Sequence, residues 1–250
     1  VNEDGAWWQH EQGQPPRMNV VAFSGGKDST ALALGMKERG EQFMLLFTPT
    51  GDELPELEEH IRKVMLATGA LLVRPPAPTL ESLINEYEAL PNWRQRWCTR
   101  RIKIQPCIEW LTINAATATL CVGLRADEEE RKGLYSEYIR TRFPMREWGW
   151  GLDDVRKKCR DAKLVPPART DCGLCYGQQL REWWSLWKRH PEHFEKGVQF
   201  EKKYKYTFRS PSRDSWPASL EELRAEFEKG RRPRGLKEEG VDEPCRVCRF

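Results

Sequence analysis

No apolar run in this sequence approaches the length of a membrane-spanning helix. The opening Val1-Asn2-Glu3-Asp4 has the pattern of neither a secretory nor a transit segment, so a cytoplasmic location with no membrane partner is the expectation. Internal repeats are absent. Histidine is scarce: the 4 present, His10, His60, His190 and His193, show no paired ligand spacing and are read as structural. Net charge is also small, +3, so the whole-molecule field is not that of a dedicated nucleic-acid binder. Arg and Lys are instead dense locally, around 94–103, 125–146 and 229–237.

What is present points to a globular protein. Charged residues make up 32%, yet 11 Trp and 9 Phe supply bulky core or stacking surface, which argues against wholesale disorder. A chain of 250 residues accommodates one α/β domain with a smaller appendage but not two large domains. In a reducing compartment the 8 Cys are metal ligands, catalytic thiols or core residues rather than disulfides.

The most informative segment is Phe23-Ser24-Gly25-Gly26-Lys27-Asp28-Ser29-Thr30, preceded by strand-like Asn19–Ala22 and followed by helix-like Ala31–Met36. Adjacent glycines allow a sharp turn that brings backbone N–H groups close to an anion, and the helix that follows points its positive end the same way. Lys27 adds a full charge and Ser24 a hydroxyl. The spacing is not that of the Gly-x-x-x-x-Gly-Lys-Ser/Thr loop, so the usual nucleoside-triphosphatase cradle does not fit.

Ser24 to Ser29 resembles the Ser-Gly-Gly-x-Asp-Ser signature of the PP-loop ATP pyrophosphatases, with Lys27 at the variable place. That resemblance implies a loop gripping the pyrophosphate end of ATP while a substrate oxygen attacks the α-phosphate. One branch, the phosphoadenosine phosphosulfate (PAPS) reductases, holds a sulfonucleotide with the same loop. The neighbourhood Trp97-Cys98-Thr99-Arg100-Arg101-Ile102-Lys103-Ile104-Gln105-Pro106 is similar to the Cys-x-x-x-Lys-x-x-Pro segment of that branch, with one extra residue before Lys103. Val122-Gly123-Leu124-Arg125-Ala126-Asp127-Glu128-Glu129-Glu130-Arg131 resembles its Gly-Ile-Arg-x-x-Glu-Ser-x-x-Arg segment. Arg125 and Arg131 are therefore expected phosphate contacts, as is Lys103.

Apolar runs at Phe43–Phe47, Ala70–Val73 and Ala118–Val122 alternate with helical patterns, the latter including Leu57, Ile61, Val64 and Met65. This alternation predicts a doubly wound, mainly parallel sheet with helices on both faces. Loops at the strands' carboxyl ends, Ser24–Asp28, Thr50–Glu53 and Gly123–Arg125, should then converge on the ligand crevice. Three regions are expected: an arm over 1–17 bearing Trp7 and Trp8, a nucleotide-binding α/β domain over 18–150, and a helical, cysteine-bearing region over 151–250. Within the last, helices are predicted at Leu152–Ala162, Gln178–Lys188, Pro191–Tyr204 and Leu220–Lys229. Trp183, Trp184 and Trp187, at near-helical spacing, are read as core.

Two Cys-x-x-Cys knuckles, Cys172/Cys175 and Cys245/Cys248, supply four thiolates that can enclose one Zn²⁺ or a [4Fe-4S] cluster. Cys98 or Cys159 is an alternative ligand, and Cys98 a candidate catalytic thiol or persulfide carrier; Cys107 and Cys121, in apolar runs, are expected core residues. Carboxylates Asp28, Asp52 and Glu53 stand where Mg²⁺ bridging phosphates would be held.

The PAPS reductases end in Glu-Cys-Gly-x-His, whereas this sequence ends Asp-Glu-Pro-Cys-Arg-Val-Cys-Arg-Phe, and Trp97 replaces the first of the paired cysteines of cluster-bearing relatives. The expected function is accordingly an ATP pyrophosphatase-type enzyme that adenylates a substrate oxygen for sulfur or nitrogen transfer, with Lys27 and Asp28 at the reaction centre. A tRNA or DNA acceptor, a sulfur-donor protein and a homo-oligomer are all compatible partners. Sulfonucleotide reduction or sulfotransfer is the alternative chemistry, and a catalytically idle nucleotide-binding subunit the alternative from a different class.

Overall fold

Strand β1 (Asn19–Ala22) lies at the centre of a five-stranded sheet, with β2 (Phe43–Leu46) on one side and β4 (Thr119–Cys121) on the other. The order is β3-β2-β1-β4-β5, where β3 is Leu72–Val73 and β5 is Thr141–Arg142, and every pairing is parallel. The computed structural model describes residues 18–128, 130–131 and 139–236. The edge strand β5 was not read from the sequence. It has two residues and no apolar run, and it is recruited because Leu120 and Val122 donate to the carbonyls of Arg140 and Arg142.

Apolar runs in β1, β2 and β4 arise because both sheet faces are covered, and successive side chains leave opposite faces. Val21, Leu45 and Cys121 face one core, shared with Leu32 and Met36 of α1 (Lys27–Glu38) and Leu57, Ile61 and Val64 of α2 (Pro55–Thr68). Val20 and Leu120 face the other, against Cys107 and Leu111 of α4 (Gln105–Asn114), which follows a π-helical turn at Thr99–Ile104. Cys107 and Cys121 are thus buried, as their apolar runs suggested, and burial pushes both thiols up to about 12.

A third core gathers Trp183 of α7 (Leu180–Arg189), Phe194 and Val198 of α8 (Pro191–Tyr204), and Leu223 and Phe227 of α9 (Leu220–Glu228). Trp183 is fully buried there, with Trp184 and Trp187 packed at its edge. The helical half does not begin as a separate body at residue 151, however. Helix α6 (Leu152–Asp161) packs Val155 and Cys159, one turn apart, into the first core with α1, while Leu80, Leu83 and Ile84 of α3 (Leu80–Tyr87) join the third. A short helix, α5 (Pro144–Glu147), leads from β5 to Trp148 and Trp150, which lie flat enough on α1 that only glycine fits at position 35. A Cβ there would be 2.6 Å from the Trp148 ring. Among the described residues no helix is long and apolar enough to cross a membrane.

Candidate nucleotide-phosphate site

Between Ala22 and Lys27 the chain must turn from a central strand into a helix. Gly25 does this at φ 72°, and a Cβ on it would lie 2.4 Å from Leu57 Cδ1, so backbone and packing both require glycine. The turn is locked by its serines. Ser29 Oγ donates to the Gly26 carbonyl (3.1 Å) and accepts from the Ser24 amide (3.3 Å), while the Gly26 amide donates to Ser24 Oγ (3.3 Å). Helix α1 starts at Lys27, inside the motif and ahead of the helix-like run Ala31–Met36. The amides of Lys27, Asp28 and Ser29 consequently belong to its first turn, have no carbonyl one turn back, and present the positive end of the helix dipole.

Order 3-2-1-4-5 reverses direction between β1 and β4, and a doubly wound sheet opens its ligand crevice at that point. The Gly123 turn leaving β4 sits against the start of α1: a Cβ on Gly123 would be 3.2 Å from the Asp28 carbonyl carbon and 3.3 Å from the Ser29 nitrogen. This approach delivers Arg125, whose Nη1 is 3.0 Å from Asp28 Oδ1; the buried Lys27 holds the other oxygen, with Nζ 3.0 Å from Asp28 Oδ2. One carboxylate therefore stands between two cations at the helix's positive end.

Arg125 is further held by Asp127 (2.8 Å) and Glu128 (3.5 Å), and Glu128 also binds Arg131 (2.9 Å), so both expected phosphate-contact arginines share one counter-ion. Arg146 fixes this segment from behind by donating to the backbone carbonyls of Arg125, Glu128 and Arg131. Neither role was read from the sequence. Two more supports were missed: buried His60 hydrogen-bonds Thr30 (3.0 Å), and Cys159 Sγ donates to the Lys27 carbonyl (3.6 Å).

The loop after β2 lies beside the helical half. Glu53 closes its own turn by accepting from the Thr50 amide and hydroxyl and from the Gly51 amide. Asp52 is a staple: its carboxylate accepts from Leu174 N (2.7 Å), its carbonyl from Gly173 N (2.6 Å), and Lys196 is 3.5 Å away. Burial raises the Asp52 carboxyl above its ordinary range, against the pull of the Leu174 amide and Lys196. Thr170 completes the approach, its hydroxyl 3.5 Å from where a Cβ on Gly26 would sit. The 170–174 segment thereby bonds the loop after β2 and lies beside the diglycine turn.

Asp28, Asp52 and Glu53 are thus all engaged, and among the described residues no group of three or more His, Cys, Asp or Glu is arranged to hold a metal ion. The donor set does not fit a protein-held Mg²⁺. Among the cysteines, Cys98 and Cys172 pack against Cys175 and Tyr176. A hydrogen bond from Cys172 and burial carry the Cys175 thiol well above its usual range, and burial pushes Cys98 up to about 11. Such thiols are protonated at neutral pH and are poor free nucleophiles, which counts against Cys98 as an unassisted attacking group. Lys103, expected at phosphate, exerts its charge on Cys98. Cys245, Cys248, Trp7 and Trp8 lie outside the described residues.

Fold and site together define a doubly wound α/β protein with a diglycine turn and a helix amino terminus at its switch point. Residues 18–147, just over half of the chain, match the phosphoadenosine phosphosulfate reductase domain, and the chain belongs to that family. An uncharacterized protein of Methanocaldococcus jannaschii is 25% identical over 224 residues, 82% of this chain and 54% of that protein, so the chain spans about half the length of this curated relative. Among solved structures, a PAPS reductase from Candida auris in a phosphate complex is similar at 17% identity, covering 61% of this chain and 75% of that one with a TM-score of 0.48. A predicted tRNA methyltransferase subunit from M. jannaschii is similar at 21% identity, covering 59% and 74% with a TM-score of 0.37.

Proposed function

We propose that Ser24–Thr30 holds the phosphates of an adenine nucleotide, and that the protein is an ATP pyrophosphatase-type enzyme that activates an oxygen of its acceptor. The observation that carries this reading is the pairing of Lys27 and Arg125 across Asp28 at the amino end of α1. A phosphate reaching those helix amides meets two cations already positioned, and displaces the carboxylate that occupies them. In the reaction, the acceptor oxygen bonds to the α-phosphorus as the bond from that phosphorus to the bridging oxygen breaks and pyrophosphate departs. A sulfur or nitrogen nucleophile then bonds to the acceptor carbon, and AMP leaves with the oxygen. Lys27 and the loop amides stabilise charge on the departing pyrophosphate, while Arg125 and, through Glu128, Arg131 serve the α-phosphate. A Mg²⁺ ion travels with the nucleotide's own phosphates in this scheme.

The thiols Cys172, Cys175, Cys245 and Cys248 form the proposed Zn²⁺ or [4Fe-4S] site, with Cys98, which packs against the Cys175–Tyr176 cluster, as the alternative ligand. Soft thiolate donors suit either group, and a metal would offset the cost of ionising buried thiols. Sulfonucleotide reduction is the second reading, favoured by the family match over 18–147. Incubation with ATP, Mg²⁺ and candidate acceptors separates the two: pyrophosphate release supports the first, whereas thioredoxin-dependent sulfite formation from PAPS, without pyrophosphate, overturns it. Nucleotide binding with neither product identifies an idle binding subunit.

A further inference from the structure

A second cationic site lies in the helical half. A cleft of about 520 Å³ opens between the start of α7, the 214–216 turn and the segment 231–234, with Arg181, Arg231, Arg232 and Arg234 on its walls. Arg231 lies over the Trp216 ring, 3.9 Å from its centroid, and pairs with Glu226 at 2.9 Å. Asp214, the acidic residue lining the cleft, has both carboxylate oxygens taken by Arg209 and one also by the Trp216 amide. Arg232 and Arg234 are exposed and have no acidic partner among the described residues. The cleft therefore keeps a positive excess beside a partly exposed indole, in a protein whose total charge is only +3.

We infer that this cleft binds the sugar–phosphate backbone of a single nucleic-acid strand, with the part of the Trp216 ring that Arg231 leaves uncovered offering surface for a base. Arginine forks match phosphate oxygens, and an indole beside a basic wall accepts any base by stacking. An acidic peptide would meet the same charge but has no use for the ring. The cleft is also joined to the nucleotide site. Gln178, next to the lining residue Gln179, donates to the Gly173 carbonyl (2.5 Å) and accepts from Arg169, and the 170–174 segment bonds Asp52 and lies beside Gly26. The cleft is thus linked through Gln178 to the segment beside the diglycine turn. This deepens the reading above on one point, the acceptor's chemical class, and rests on that reading only for its link to catalysis.

Fluorescence anisotropy with labelled 16-nucleotide single strands of DNA and RNA, full-length protein and no ATP, tests it. The double variant Arg232→Ala/Arg234→Ala should bind roughly tenfold more weakly, and its log–log salt slope should be shallower by about 1.4, the amount for two lost phosphate contacts on a single strand. Trp216→Leu should weaken binding with the slope unchanged. An unaltered affinity and slope in the double variant, or displacement of the strand by polyglutamate at equal charge concentration, would overturn the inference. Comparing the DNA and RNA arms identifies the strand, and because ATP is absent a negative result leaves pyrophosphate release as a separate question.

Discussion

Acid should loosen the helix that follows the diglycine turn, and the group responsible is His60. Its ring is 4% exposed, lies 3.0 Å from Thr30 Oγ1, and burial lowers its pKa from 6.5 to about 4. The folded protein thus keeps this imidazole neutral through a range in which the unfolded chain takes up a proton. Stability from this source is complete above pH 6.5, declines as pH falls through the window, and reaches its floor near pH 4, where the folded form protonates as well. Each tenfold change in proton affinity is worth about 1.4 kcal/mol, so the full loss is about 3 kcal/mol. That is a large part of the 5–15 kcal/mol typical of a domain. Urea unfolding at fixed ionic strength between pH 7.5 and 4.5 should show wild type losing stability faster than His60→Gln, by up to about 1.4 kcal/mol per pH unit. Titrating carboxylates affect both proteins and cancel in the comparison. Parallel stability curves for the two would refute the assignment of the proton to His60.

Lys27→Ala should raise the Kd for ATP, measured by calorimetric titration; unchanged affinity in a folded variant would remove Lys27 from the proposed phosphate site. Gly25→Ala should destabilise by about 1–3 kcal/mol, since the left-handed φ and the contact with Leu57 both penalise a methyl group; a wild-type denaturation curve would contradict this. Asp52→Ala leaves the buried Leu174 amide unpaired and should cost about 1–3 kcal/mol, with faster amide exchange near 173–174 as the local readout. Metal analysis of Cys172→Ser and Cys245→Ser should show lost zinc or iron, and retained stoichiometry in either variant removes that residue from the site.

The sheet was legible because parallel strands buried on both faces leave unbroken apolar runs, so β1, β2 and β4 were found nearly to the residue, whereas β5 is held by backbone pairing that no side-chain pattern announces. Local motifs likewise exposed the diglycine turn and the Gly123–Arg125 turn. Their interlocking was not readable, because Gly123 against Asp28, Arg146 behind the 125–131 segment and His60 under Thr30 are contacts between distant positions. Asp52 shows the difference most clearly. A carboxylate at a strand exit reads as a metal ligand, and only the fold reveals Leu174 donating to it and Gly173 donating to the carbonyl of the same residue.

Asp28 is the residue whose chemistry changes most between these two views. As a carboxylate near phosphates it suggests metal binding, but Lys27 and Arg125 each hold one of its oxygens at 3.0 Å. Were Asp28 absent, the two cations would face each other beside a helix's positive end, and such like-charge crowding destabilises an empty site. The carboxylate relieves that repulsion and keeps both side chains in place. In the proposed function it then yields to a more highly charged phosphate. Asp28→Asn separates these effects: loss of the competing anion should tighten phosphate binding, while loss of the bridge should lower thermal stability. An opposite pair of outcomes, weaker binding with unchanged stability, would mean that Asp28 contacts the nucleotide or its metal directly.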